Sequence, residues 1–205
     1  KPAIWSAVYR RDFLLHAGID FLETPGAAFQ DTSFVFKVLA SAPCAEFCDV
    51  PIVHYRQDRA GSSVNSAERA SLVCKEFLEI GRWLDERPKD SLTARLCHDF
   101  QVAKLNAYLW NLDRLAPGLK ADFARRAARE FSEADRAGKI EWSRWAAWKA
   151  RNLKSLMRDP VSYAKRRSSL IANKPLFALA LGGPVALAEA VRERAGRSQP
   201  CHTSR

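Results

Sequence analysis

Apolar positions change their period along this chain. Between Trp5 and His16 they recur at helical spacing, with Val8 and Leu15 among them, and Gly18 follows as a C-terminal stop. The pattern predicts a short helix ending near Ala17. Residues 19–29 read as a loop whose Thr24-Pro25-Gly26-Ala27-Ala28 stretch is built for a turn. A second helix is expected from Asp31 to about Ala42, with Phe34, Val35, Val38 and Leu39 on its apolar side and Pro43 ending it. Residues 45–49 and 52–57 flank Pro51, and the β-formers Ile52, Val53 and Tyr55 predict two short extended segments.

From residue 66 the period turns helical throughout. Helices are expected over 66–86, 93–114, 119–137 and 142–157, with breaks at Pro88, Pro117-Gly118 and Gly138. No internal repeat is visible. The apolar run 175–191 is interrupted by Gly182-Gly183-Pro184 and contains Glu189, so it falls short of a spanning helix and suits an interface. The pattern divides the chain into 1–65, a helical 66–195, and a polar tail 196–205 expected to be disordered.

Composition changes this picture in three ways. With 205 residues, 47% of them hydrophobic, the chain can build a core and is not a disordered protein. Its five cysteines are odd in number and include no CxxC pair, which argues against a disulfide framework or structural zinc and for thiols packed as small hydrophobes in a reducing compartment. The start, KPAIWSAVYRR, lacks the apolar core and cleavage site of a secretory signal.

Charge adds to this. Residues 1–65 hold six Lys/Arg against seven Asp/Glu, a net of −1, so residues 66–205 contribute +11 to the net +10. Such asymmetry points to a polyanionic partner, nucleic acid or an anionic membrane face, or else to solvated helix faces. A charge run without aromatic platforms favours the solvated faces, and nucleic acid is not the expected partner.

Candidate chemistry gathers in 20–66. Asp31 stands where a helix start, a Gly-containing loop and Phe29 converge, a place for a carboxylate that takes a proton from a hydroxyl. Periodicity alone reads the same residue as an N-cap, and the roles compete, because a carboxylate held by backbone N–H groups is a poorer base. His54-Tyr55-Arg56 ends the second extended segment, and the following Arg59-Ala60-Gly61-Ser62-Ser63 offers donors suited to a diphosphate. Arg56 matches phosphate oxygens in a bidentate way, whereas His54 reads either as a metal ligand or as the end of a polar hairpin. His16, His98 and His202 stand too far apart to suggest a triad. Trp142, Trp145 and Trp148 recur every third residue beside Arg144, Lys149 and Arg151, which suits either an interfacial membrane anchor or a helix–helix contact.

Several strings in order carry a resemblance: Trp5-Ser6-x-x-Tyr9-Arg10-Arg11-x-Phe13-Leu14, Glu23-Thr24-Pro25-Gly26-Ala27, Gln30-Asp31-Thr32-Ser33-Phe34-x-x-Lys37, His54-Tyr55-Arg56-Gln57-Asp58 and Ser62-Ser63-Val64. Together they resemble bacterial glycosyltransferases of family 2, over residues 1 to about 66 and more faintly to about 116. The resemblance implies an α/β fold, the acceptor-side part of a GT-A nucleotide-diphospho-sugar transferase, followed by a basic helical region. It implies inverting transfer from a nucleotide-sugar donor to a glycan or lipid-linked acceptor in cell-surface polysaccharide synthesis, with Asp31 as the base. Gln30, Tyr55, Arg56, Gln57, Ser62 and Ser63 would bind substrate, and His54 would touch a metal.

Family members also use Mn²⁺ or Mg²⁺, held mainly by an Asp-x-Asp motif. No aspartate of this chain is followed two positions later by another. The resemblance places the donor-binding half before Lys1, so the isolated chain is expected to bind donor poorly and to catalyse little. The implied location is cytoplasmic, peripheral at the inner face of the membrane, with the basic helices on anionic lipid. The reading from another class is a non-catalytic basic helical module that binds nucleic acid, membrane or a partner protein, or an inactive truncated transferase.

Overall fold

The computed structural model describes residues 3–24, 29–48, 50–51, 53–54, 70–170 and 173–197. Eight α-helices form among them: α1 (Arg11–Ala17), α2 (Asp31–Ser41), α3 (Ala70–Asp85), α4 (Ser91–Arg114), α5 (Pro117–Arg136), α6 (Ala147–Arg158), α7 (Pro160–Leu170) and α8 (Lys174–Arg197). The chain divides into two compact units, Lys1–Ala107 and Tyr108–Arg205.

The first unit is built on α2. Phe34, Val35 and Val38 of α2 join Ile19 in a buried cluster against which Ile4, Tyr9, Phe13 and Leu14 pack. Gly18 makes that possible: its left-handed φ of 59° turns the chain after α1, and Ile19 N–H then donates to the Leu14 carbonyl as its side chain enters the core. Tyr9 meets the Phe34 ring edge-on and Phe21 stacks on it at 4.2 Å between centroids. α3 packs against α2 and buries Val73, Glu76, Phe77, Ile80 and Leu84, one stripe at three- and four-residue spacing.

The second unit is a helical assembly in which α5 packs on α6 and α7, and α8 on α6 and α7. α5 buries Phe123, Ala124, Ala127, Ala128 and Phe131, with Tyr108 against both rings. Its helices start on sequence signals. Asp159 accepts from Ser162 N–H ahead of Pro160 in the first turn of α7, and Asn173 accepts from Leu176 N–H at the start of α8. A polar seam runs through the core: Tyr163 donates to Asn152 at 2.9 Å, and Arg167 donates twice to Asp113, at 2.6 and 2.8 Å.

The expected α/β architecture is overturned. About 76% of the described residues are helical and none is in a strand, which leaves no sheet for a GT-A sandwich. The physical reason lies in residues 45–54. A strand exists only when a neighbour satisfies its ladder of backbone groups. Here the described residues of that stretch are exposed, Phe47 at 93% and Val53 at 47%, and no backbone ladder joins them to another segment. Asp49, Ile52 and 55–57 of the two expected segments lie outside the described residues, as does 198–205 of the tail. Where disorder was expected from 196, helix α8 continues to Arg197.

Candidate functional site

Around Asp31 the start of α2 is organised by a residue that the sequence pattern does not single out. Gln30 occupies the cap position in a helical conformation and Asp31 is the first helical residue, yet neither side chain caps the helix. That role falls to Glu76 of α3. Its Oε2 accepts from the backbone N–H of Ser33 at 3.1 Å and from the Ser33 hydroxyl at 2.5 Å. Ser33 N–H is one of the orphan donors of the first turn, so a carboxylate from a neighbouring helix satisfies it and complements the helix dipole. Thr32 N–H donates to the carbonyl of Phe29, whose φ of 65° is left-handed for a non-glycine residue.

Electrostatically this is an acidic corner in which Lys37 and Arg82 both reach Glu79. Glu76 is fully buried, and its Oε1 has no hydrogen-bond partner. Burial lifts its carboxyl above the ordinary 4.5, the two Ser33 bonds pull it down, and the charges of Asp31 and Glu79 add to the rise. Burial, and then the charge of Asp31, raise the Tyr9 phenol. Lys37, also buried, donates to Glu79 at 2.6 Å. The string Gln30-Asp31-Thr32-Ser33-Phe34-x-x-Lys37 is thus used largely for packing α2 on α3: Ser33 binds Glu76, Phe34 sits in the aromatic cluster and Lys37 pairs with Glu79.

Of the remaining expected site residues, His54 is described and is exposed. Tyr55, Arg56, Gln57, Ser62 and Ser63 lie outside the described residues. Among the described residues no group of three or more His, Cys, Asp or Glu could hold a metal ion. The described residues thus supply no such donor set for Mn²⁺ or Mg²⁺.

A different surface stands out in the second unit. Residues 108–205 hold twenty Lys/Arg against nine Asp/Glu, so the whole positive excess of the chain lies there. Arg125, Arg126, Arg144, Lys149, Arg151 and Arg167 are in ion pairs, while Arg129, Arg158, Lys165, Lys174 and Arg192 are exposed. On α8, Phe177, Ala178 and Ala186 turn inward. Leu176, Leu179 and Ala180 before Gly182-Gly183, and Val185, Ala188 and Val191 after it, turn outward, with Leu176 49%, Val185 60% and Val191 59% exposed. An apolar line on the surface is thus bracketed by Lys174 at one end and Arg192 at the other.

The tryptophans are not part of it. Trp145 is buried, Trp142 donates to Asp135 with Lys154 over its ring, and Trp148 packs on Phe177, so they serve internal contacts. No family model matches the chain, and neither a curated protein nor a solved structure does. With an all-helical fold among the described residues and no match, the resemblance to family 2 glycosyltransferases does not stand. Of its residues, Ser33, Phe34 and Lys37 serve the packing of α2 described above.

Proposed function

We propose that the chain is a basic helical module that docks peripherally on an anionic membrane surface through its second unit. The observation that carries this reading is the outward apolar line of α8, set in a unit with a net charge of +11. Interfacial helices bind by burying an apolar face while Lys and Arg meet anionic headgroups, each cation near the surface adding about 1 kcal/mol.

Among the described residues one helix, Lys174–Ala195, is long and apolar enough to cross a bilayer. Three features favour lying in the interface instead. The backbone leaves helical geometry at Gly182 and Gly183, and Glu189 and Glu193 pair with Arg151 and Lys149 of α6. Burying such charges at the bilayer centre would cost about 2.5 kcal/mol or more apiece. The location that follows is peripheral, on a membrane face rich in anionic lipid.

Flotation with vesicles tests it. The chain is expected to float with phosphatidylserine-containing vesicles and not with neutral ones. Leu179→Glu combined with Val185→Glu is expected to lower partition by at least about tenfold. Lys165→Gln combined with Lys174→Gln should lower it by roughly 30-fold. Equal recovery on both vesicle types would reject electrostatic docking.

Acid–base chemistry at Asp31 in sugar transfer is the second reading. Its support is that Asp31 makes no capping bond, while its charge is felt by Tyr9 and Glu76. If Asp31 is the base, Asp31→Asn should cut turnover of a nucleotide-sugar in the presence of a glycan acceptor by orders of magnitude with the melting temperature unchanged. Unchanged turnover, or none in the wild type, would end that reading.

A further inference from the structure

Helix α8 is held to its unit in two unlike ways. Its first half is anchored by packing: Phe177 and Ala178 are buried, and Phe177 meets Trp148 and Tyr163 edge-on. Its second half buries Ala186 fully and Leu187 and Ala190 in part, and is fastened by charge as well. Arg151 of α6 grips Glu189 with two bonds of 2.8 and 2.9 Å, and Lys149 approaches Glu193 at 3.8 Å.

Between the halves stands a joint. Gly183 has φ 64° and ψ −155°, a conformation open to glycine and strained for other residues, and Pro184 restarts the helix with no N–H to satisfy. Gly182 serves a different purpose. A Cβ on it would meet Nη1 of Arg151 at 2.8 Å and Cδ at 3.0 Å, so the missing side chain makes the seat in which the guanidinium lies while it holds Glu189.

We propose that residues 184–197 form an arm hinged at Gly182-Gly183 and latched by Arg151–Glu189, and that lipid phosphate opens it by replacing the Glu189 carboxylate on Arg151. This deepens the membrane reading and rests on it. A guanidinium binds phosphate and carboxylate oxygens in the same bidentate geometry, so the exchange keeps the paired bonds of Arg151. The packed first half stays in place. The arm therefore stays closed in solution and swings out where anionic headgroups are dense.

Electron–electron distances between nitroxides test this on the full chain. One label pair, carried on ketone-bearing amino acids, occupies the exposed positions Arg158 and Ala195, and a control pair occupies Arg158 and Ala180. Ala195 lies about 17 Å beyond the joint along the helix, so a swing of the arm is expected to shift the first distance by on the order of 10 Å. The control distance should hold.

Two conditions should produce the shift: Glu189→Gln in solution, and the wild type on phosphatidylserine vesicles. Neutral vesicles should leave the closed distance. Arg151→Glu with Glu189→Arg, which restores the pair in reverse, should close the arm again in solution. A closed distance in Glu189→Gln overturns the latch, and a closed distance in wild type that has floated with anionic vesicles overturns its exchange with lipid phosphate. Flotation of the same samples reports a failure of the membrane reading separately. In that event the Glu189→Gln distance still judges the latch.

Discussion

Glu76 shows what one polar residue can do inside a helical stripe. It lies among the buried apolar side chains of α3 and holds the start of α2 through Ser33. Its pKa is raised in the fold by burial first, so the neutral form is the one the fold favours. The associated stability is fully present below 4.5 and is lost as the pH rises through the raised folded value. Glu76→Gln stays neutral and can still accept both Ser33 bonds. It should melt no lower than wild type at neutral pH and lose this part of the pH dependence. Glu76→Ala leaves the Ser33 N–H and hydroxyl unsatisfied and should cost about 1–3 kcal/mol in urea unfolding. If wild type and Glu76→Gln share one stability–pH curve, Glu76 is not its source. Asp31, the residue that both periodicity and resemblance single out, makes no cap bond, because the capping is supplied from another helix.

Between elements, the seam Asn152–Tyr163–Arg167–Asp113 fastens α6, α7 and the end of α4. Burial pushes the Tyr163 phenol up to about 12 from an ordinary 10.0, although the Arg167 charge pulls it down. The neutral phenol is favoured in the fold, so the stability it brings is intact below pH 10 and is lost as the pH rises toward about 12. Urea unfolding should therefore weaken steeply across that window. Tyr163→Phe should lose about 1 kcal/mol at neutral pH with the Asn152 bond, yet flatten the alkaline loss. An equally steep alkaline loss in Tyr163→Phe would place its cause elsewhere.

The same scale shows what could be read of the elements. Helices expected over 93–114 and 119–137 are α4 and α5 within a few residues, because their buried stripes keep the three- and four-residue spacing. Helix α7 has no such early signal in its apolar pattern. Its true start signal, Asp159 before Pro160, is a cap followed by a first-turn proline, which a reading of Pro as a breaker passes over.

Over the whole molecule, charge is the property with the widest reach. The excess of residues 108–205 coincides with the second compact unit, while residues 66–107 are balanced at seven Lys/Arg against seven Asp/Glu. Vesicle docking driven by that excess is expected to weaken as salt shortens the reach of charge from about 30 Å at 0.01 M to about 8 Å at 0.15 M. Binding unchanged across that range would leave the apolar line of α8 as the sole driver.

By itself the sequence determined the helical rear half, the basic charge and the break at Gly182-Gly183-Pro184. Each depends on residues near one another in the chain: spacing along one helix, composition, and the fixed geometry of glycine and proline. Tertiary structure alone decided that residues 45–54 form no strand in the described stretches, that Glu76 caps α2, and that Arg151 meets Glu189 thirty-eight positions away. A strand needs a partner, a trans cap needs a second helix, and a latch needs two helices side by side. None of these is encoded by local period, because the energy resides in contacts between segments that only folding brings together.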